Sequence, residues 1–287
     1  MQEEDFPALY RSADDLSLSS QRHFFRALML HLALLVLAAI LSIVIIPHWS
    51  VGVLQVLTLL GALSCSIYLF SKRPDRYWYA GRAVAESIKS ITWRYVCRAE
   101  PFQSDDKISR SDFQLKLKAI VDQNKDFIQA LTKHLDAHQI TEAMTNLRMQ
   151  SLEERKNTYA TSRIKDQLTW YAKKAVFNRR TSSGFFWALI ATNGLAVVCA
   201  ILRVKFVTVQ FWPTDIFVAM AASLISWMQA KRFSELTASY ALAAHEIGII
   251  REQSLQSSTD EEFSQFVGDA ENAFSREHTQ WVARRDV

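Results

Sequence analysis

Four long runs of apolar residues constrain the possible fold more than any other feature of the sequence. The first, residues 27–46, holds 20 residues, and His31 is its only ionisable member. As an α-helix this run would be roughly 30 Å long, which matches the hydrocarbon core of a bilayer. Three more runs follow, at residues 51–70, 185–202 and 213–230. The chain is therefore predicted to cross a membrane four times.

Between the apolar runs the chain is polar and poor in helix breakers. Seven Gly and five Pro among 287 residues favour long helices. The predicted fold is an all-α membrane protein, with four transmembrane helices as two hairpins and a cytoplasmic helical domain. The first run begins late and follows several acidic residues, which is typical of a retained helix and not of a signal peptide.

Basic residues flank both predicted hairpins on the same side. The residues at these boundaries are Lys72, Arg73, Arg76, Lys173, Lys174, Arg179, Arg180, Lys231 and Arg232. The positive-inside rule places these ends, and both termini, in the cytoplasm. The boundary position explains the cluster better than nucleic-acid binding does, so no nucleic-acid partner is predicted.

The chain divides into two similar units with a linker between them. The first unit is predicted over residues 1–100, a helical linker over 101–150, and the second unit over 151–287. The predicted helices of the two units lie at residues 24–46, 51–71, 75–98, 151–183, 184–203, 213–230, 231–255 and 260–285.

Three further patterns predict local structure in the polar segments. Apolar spacing from Phe113 to Leu135 predicts an amphipathic helix. A longer helical pattern begins near Thr141 and contains neither Gly nor Pro before Gly184, so it could enter the third span unbroken. Thr259 and Glu262 fit a capping box at the start of the last helix.

Small and polar residues inside the apolar runs are candidates for helix packing or for the lining of a pore. They are Gln55, Thr58, Ser66, Ala188, Thr192, Asn193, Ala196, Ala200, Asp215, Ser223 and Ser226. Packing within one protomer and contact between subunits both explain the small residues. For Asn193 two roles stay open, an interhelical hydrogen bond and the lining of a pore. For Asp215 the two open roles are helix capping and an acidic ring at a pore mouth.

The remaining ionisable residues do not suggest catalysis. His31 fits a hydrogen-bonded neutral histidine or a pH sensor. His134 and His138 have a spacing that a metal would accept on a helix, but no Glu follows the first His, so a solvated helix face is preferred. Glu86 and Glu246 are expected to pair with neighbouring basic side chains. No enzyme activity, cofactor or metal site is predicted.

The pattern of Gln167, Trp170, Tyr171, Lys174, Ala175 and Asn178 before the second hairpin resembles the SLATT family. The run FVGDAENAFSREHTQWVARR resembles the end of such a domain, and WYAGRAVAESIKSITWRYVCRAEPF resembles the corresponding part of a second one. Most of the chain thus resembles two SLATT units in tandem. These are two-span effector domains associated with SMODS nucleotidyltransferases and SLOG sensors in prokaryotic conflict systems.

The resemblance implies a non-enzymatic membrane effector of a defence system. Its expected action is an oligomeric pore that depolarises the inner membrane when triggered from the cytoplasm. The implied partners are the lipid bilayer, further copies of the chain and a protein that makes or senses a nucleotide signal. The alternative is a membrane-anchored scaffold or sensor that recruits a signalling partner without conducting ions.

Overall fold

A computed structural model describes residues 1–44, 48–254 and 257–283, with backbone alone at 126 and 276–283. Across these ranges the chain is helical and contains no strand, which confirms the all-α prediction. A short 3₁₀ turn, Glu3–Asp5, precedes the helices. They are α1 Ala8–Ile43, α2 Trp49–Lys72, α3 Pro74–Val96, α4 Asp106–Gln123, α5 Lys125–Ile128, α6 Glu142–Met149, α7 Leu152–Tyr159, α8 Asp166–Lys205, α9 Thr214–Lys231, α10 Phe233–Gln253 and α11 Asp260–Ala283.

The helices form two compact units. The polar unit comprises Met1–Gln21, Pro74–Ala172 and the described part of Ala241–Val287, and the apolar unit comprises Arg22–Arg73 and Lys173–Tyr240. Long helices pass from one unit into the other, so each unit is assembled from segments that are distant in sequence.

Three helical stretches of the described chain are long and apolar enough to cross a membrane: Ala8–Ile43, Trp49–Val96 and Leu152–Lys205. Only 6 to 11% of their most apolar windows is buried within the protein, as expected of surfaces that face lipid. The fourth predicted span, α9, is shorter and includes Asp215 and Lys231, and it is not one of the three.

The second helix of each hairpin ends at a Lys–Arg pair. In both, the arginine adopts the left-handed conformation, with φ of 42° at Arg73 and 52° at Arg232. Each arginine N–H still donates to the carbonyl four residues earlier, at Leu69 and Met228. A left-handed residue ends a helix, so at both positions the chain turns directly into the next helix.

An aromatic core holds the polar unit together. The rings of Trp93 and Tyr159 meet edge to face at 5.6 Å, and Tyr95, Phe102 and Phe113 form a second cluster. Between α1 and α3 the backbones approach closely at Gly81. A Cβ there would lie 3.0 Å from the carbonyl oxygen of Ala13. This packing places α3 at the centre of the unit.

Two predicted helices are shorter in the structure than the sequence pattern indicated. The helix predicted to reach Leu135 ends at Ile128, and His134 lies outside any helix with φ of 55°. The pattern beginning near Thr141 breaks after Met149. Ser151 starts a new helix because its hydroxyl accepts from the N–H of Glu154 while the Glu154 carboxylate accepts from the N–H of Ser151.

Two other local predictions are confirmed. The Thr259 hydroxyl accepts from the N–H of Glu262, whose carboxylate accepts from the N–H of Thr259. From Leu152 the helix runs unbroken for 54 residues to Lys205, through the third apolar run.

Candidate functional site: a buried ion pair on a π-helical segment

The 54-residue helix is not a regular α-helix throughout. Residues Ala160–Lys165 form a π-helical segment between α7 and α8. A π turn holds an extra residue, which weakens the regular hydrogen-bond ladder, and such segments are frequent at functional sites. The segment lies in the polar unit, about 20 residues before the third apolar run.

The π segment is fastened to α11 by a buried ion pair. Arg163 Nη2 lies 2.8 Å from Glu271 Oε2, and Arg163 Nε donates to Oε1 at 2.9 Å. The Tyr159 hydroxyl donates to the same Oε1 at 3.0 Å. Arg163 is 1% exposed and Glu271 is 0% exposed. The pair is thus bidentate and isolated from solvent, the geometry in which arginine binds a carboxylate most strongly.

The Glu271 carboxylate keeps Arg163 charged. Burial by itself would lower the pKa of Arg163, but the Glu271 carboxylate outweighs burial and holds that pKa above its ordinary value. Burial, and then Glu271, raise the pKa of Tyr159, so its hydroxyl stays protonated and able to donate. The Arg163 guanidinium also lies 4.8 Å from the centre of the Phe274 ring.

Two further arginines bind carbonyl groups at the carboxyl end of α3 and in the connection that follows it. Arg148 donates to the carbonyls of Tyr95 and Phe102 at 2.6 and 3.0 Å. Arg155 donates to the carbonyl of Cys97 at 2.8 Å and to Asp260 at 2.6 Å. The last carbonyls of a helix have no partner within it and carry partial negative charge, so buried cations suit them.

A fourth group of charges joins α1 to α3. Arg82 lies 2.8 Å from Glu86 and 3.8 Å from Asp14, which confirms the predicted pairing of Glu86. Burial raises the pKa of Asp14 and lowers that of Lys89. Glu86 and Asp14 together hold the pKa of Arg82 above its usual value against the effect of burial. Arg82 is therefore compensated by its two carboxylates, whereas burial outweighs the compensation of Asp14 and Lys89.

A shallow depression of about 400 Å³ lies on the surface of the polar unit. Its lining includes Arg94, whose guanidinium donates to the Gly268 carbonyl at 2.9 Å and to Asn272 at 2.7 Å. Those donors are already in use. Among the described residues, no group of three or more His, Cys, Asp and Glu side chains could hold a metal ion.

The pore or packing candidates differ in how far they are exposed in the apolar unit. Thr58, Thr192 and Ala196 are buried, and Gln55, Ser66 and Ser223 are half-buried. The exposed candidates are Ala188, Asn193, Ala200, Asp215 and Ser226.

The polar candidates mostly bond to their own helix. Thr58, Thr192 and Ser226 each donate to the carbonyl four residues earlier, at 2.7 to 2.9 Å. Asn193 donates to the Leu189 carbonyl of its own helix at 3.0 Å. Within one chain these side chains do not form a continuous polar path.

One predicted group does join two helices. His31 Nδ1 lies 3.0 Å from the carbonyl oxygen of Ala62, which can only accept, so this nitrogen carries the proton. The Ser66 hydroxyl lies 3.3 Å from the same nitrogen. His31 is therefore a hydrogen-bonded histidine that links α1 to α2.

The roles of the buried arginines and of Glu271 were not predicted from the sequence. One signal for Glu271 was present: it lies on α11 within the apolar spacing of Val267, Ala270 and Phe274, where a charge is out of place. Nothing in the sequence marked Arg163 as its partner, since 108 residues separate them.

The structure is that of a helical protein with a polar unit and with three apolar helical stretches long enough to cross a membrane. Comparison with models of protein families identifies the class of protein. The model of SMODS and SLOG-associating 2TM effector domain 3 (SLATT_3) matches residues 7–156, and that of domain 1 (SLATT_1) matches residues 159–281. The chain therefore belongs to the SLATT family and carries two such domains in tandem, as the resemblance implied.

SLATT domains are two-transmembrane effector domains associated with defence systems, and they are not known as enzymes. The comparisons found no match among curated proteins or among solved structures.

Proposed function

We propose that this protein is a membrane effector that forms an oligomeric pore and depolarises the bacterial inner membrane when a cytoplasmic signal reaches its polar unit. One observation carries the proposal. A single helix, Leu152–Lys205, contains both the buried Arg163 and the third apolar run. A helix transmits displacement along its axis, so a change at Arg163 would reach the membrane.

In the proposed topology the chain crosses the membrane four times, with α9 as the fourth span and both termini in the cytoplasm. The basic residues that flank the hairpins support this orientation. The polar unit then lies on the cytoplasmic side, where a partner that makes or senses a nucleotide signal would act on it.

The π segment supplies a gating step. A π turn contains one residue more than an α turn, so its conversion would rotate the following helix by about 100°. The Arg163–Glu271 pair opposes that rotation in the resting state. A signal that separates the pair would release α8 to turn.

Exposed small residues on α8 support an oligomer. Gly184, Ala188, Ala191 and Gly194 are exposed, and a Cβ at either glycine would meet nothing within 4 Å. Small residues at this spacing allow helices of neighbouring copies to approach closely in lipid. Asn193, exposed on the same helix, would line the resulting path.

The alternative function is a scaffold that recruits a partner without conducting ions. The observation that favours it is the satisfaction of Asn193 and the hydroxyl groups by their own helices, which leaves no lined path in a single chain.

Membrane potential distinguishes the two functions. We would express the wild-type chain with its genomic neighbours in bacteria, challenge with phage, and follow a potential-sensitive dye beside Asn193→Leu, Ala196→Leu and Val197→Leu variants. Val197 is exposed four residues after Asn193 and serves as the matched control. Depolarisation that Asn193→Leu abolishes and Val197→Leu preserves, at equal protein levels, supports the pore.

An unchanged potential under every trigger, with the wild-type protein inserted in the membrane, contradicts the pore and favours the scaffold. Because Ala196 is 9% exposed, its replacement by Leu also reports on packing within the hairpins.

A further inference from the structure

Lys231 lies in an unusual setting at the end of α9. Its ammonium is 3.4 Å from the centre of the Phe25 ring and 5.1 Å from that of Trp227. The side chain is half-buried, so the two rings hold the charge in one place. An ordinary boundary lysine extends freely into water, and this one is positioned.

Among the described side chains, no carboxylate neutralises the charge of Lys231. The next residue, Arg232, pairs with Glu235 at 2.7 Å, whereas Lys231 forms no ion pair within the described ranges. The charge that acts on Lys231 is that of Lys174 on α8, which has the same sign. Two ammonium groups that repel each other, with one of them partly desolvated, create a site for an anion.

The surroundings of these lysines are apolar. The Lys174 ammonium lies 5.9 Å from the centre of the Phe177 ring. Phe177 is 59% exposed and the adjacent Val176 is 50% exposed. An anion bound here would lie beside exposed hydrocarbon, as the phosphate of a phospholipid does beside its acyl chains.

From this geometry we infer a binding site for the phosphate of an anionic phospholipid between Lys174 and Lys231, with Phe25, Trp227 and Phe177 at its edge. The site belongs to the apolar unit and does not depend on conduction through a pore. It makes the lipid a specific ligand of α8 and α9.

The test is native mass spectrometry of the full chain, released from nanodiscs that contain phosphatidylglycerol in phosphatidylcholine. The measurement is the amount of phosphatidylglycerol retained as its fraction in the nanodisc is varied. We expect Lys231→Gln and Lys174→Gln each to weaken retention by about fivefold, the factor that corresponds to one lysine at an anionic surface. Lys231→Arg keeps the positive charge and should retain phosphatidylglycerol as the wild-type protein does.

Lys205 provides a matched control at the other end of α8. Its ammonium also lies beside an aromatic ring, 5.6 Å from the centre of Phe206. Lys205→Gln should leave retention unchanged. Equal losses from Lys205→Gln and Lys231→Gln, or no loss from Lys231→Gln in a variant of wild-type helicity, would overturn the site.

Glycerol 3-phosphate distinguishes a lipid site from a general phosphate site. If the soluble compound displaces phosphatidylglycerol at millimolar concentration, the site recognises free phosphate and the lipid proposal is wrong. Because the readout is a bound mass, the result stands whether or not the protein depolarises a membrane.

Discussion

Arg163 and Glu271 form a bidentate ion pair at 2.8 and 2.9 Å with both side chains removed from solvent. The arginine lies on a π-helical segment of the long helix and the glutamate on α11. Burial of two charges is expensive, and the pair stabilises the fold only while both partners are present. Loss of one partner should therefore be more costly than loss of both.

Removing one partner of this pair should destabilise the protein strongly. Arg163→Met leaves Glu271 charged and buried, which costs about 3–5 kcal/mol. The measurement is the free energy of unfolding of the detergent-solubilised chain in denaturant. Arg163→Met combined with Glu271→Met should recover much of the loss, because no unpaired charge remains.

The control for this prediction is a pair whose carboxylate is exposed. Lys156 lies 3.2 Å from Glu153, which is 83% exposed. Lys156→Met should cost no more than about 1 kcal/mol. A loss from Arg163→Met no larger than that of Lys156→Met would contradict the importance of the buried pair.

Two glycine substitutions should have opposite effects on stability, because Gly81 lies where α1 and α3 approach closely and Gly248 lies in open space. Gly81→Ala places a Cβ 3.0 Å from the Ala13 carbonyl oxygen and 3.0 Å from Ser17 Cβ, so a backbone must move, at a cost of about 1–3 kcal/mol. Gly248→Ala meets nothing within 4 Å inside α10 and should stabilise by roughly 0.5–1 kcal/mol. The measurement is the thermal unfolding of both variants. Stabilisation by Gly81→Ala would contradict the close packing of α1 against α3.

Cys97 should resist alkylation for as long as the polar unit stays folded. Burial, and then the Glu271 carboxylate, raise the pKa of its thiol despite the opposing charge of Arg155. The thiolate is the reactive form, so the native thiol should label far more slowly than an exposed one. The measurement is N-ethylmaleimide labelling in a Cys65→Ala, Cys199→Ala background.

The reference for this labelling is an exposed thiol, introduced by the substitution Ser104→Cys. Addition of Arg163→Met should speed the labelling of Cys97, because the destabilised polar unit opens more often and exposes the buried thiol. Equal labelling rates for Cys97 and for the introduced thiol in the folded protein would refute the prediction.

The contact between Asp15 and His134 should contribute to stability only above the acid range. Partial burial opposes ionisation of Asp15, but the hydrogen bond from His134 at 3.0 Å and the charge of Lys133 lower its pKa below the usual value. A lowered pKa stabilises the fold above the pKa of the unfolded state, about 3.9. The contribution is lost as the pH falls through the folded value.

Asp15→Asn should therefore lower the melting temperature at pH 7 by the small amount typical of an exposed pair, and this effect should diminish as the pH falls below about 3.9. Asp112→Asn removes a carboxylate without an ion pair among the described side chains and is the matched control. A pH-independent effect of Asp15→Asn would show that the carboxylate acts through packing and not through its charge.

Sequence patterns predicted the elements that depend on near neighbours. The apolar run at 27–46 lies mostly within α1, the Thr259 capping box is formed, and the residues around Trp170 indicated the family. Each of these depends on composition or on spacing of a few residues, which a sequence displays directly. The helix break at residue 150 was harder to predict, because Ser151 starts a new helix inside a run that contains no Gly or Pro.

The sequence by itself determined that the chain is helical, that it carries lengths of apolar helix sufficient to span a bilayer, and that it contains two SLATT domains. Only the tertiary structure decided which charges are buried and what compensates them. Arg163 and Glu271, 108 residues apart, look like ordinary helix-surface residues until α11 packs against the π segment. Such a pairing depends on how distant helices pack, and no local pattern in the chain encodes it.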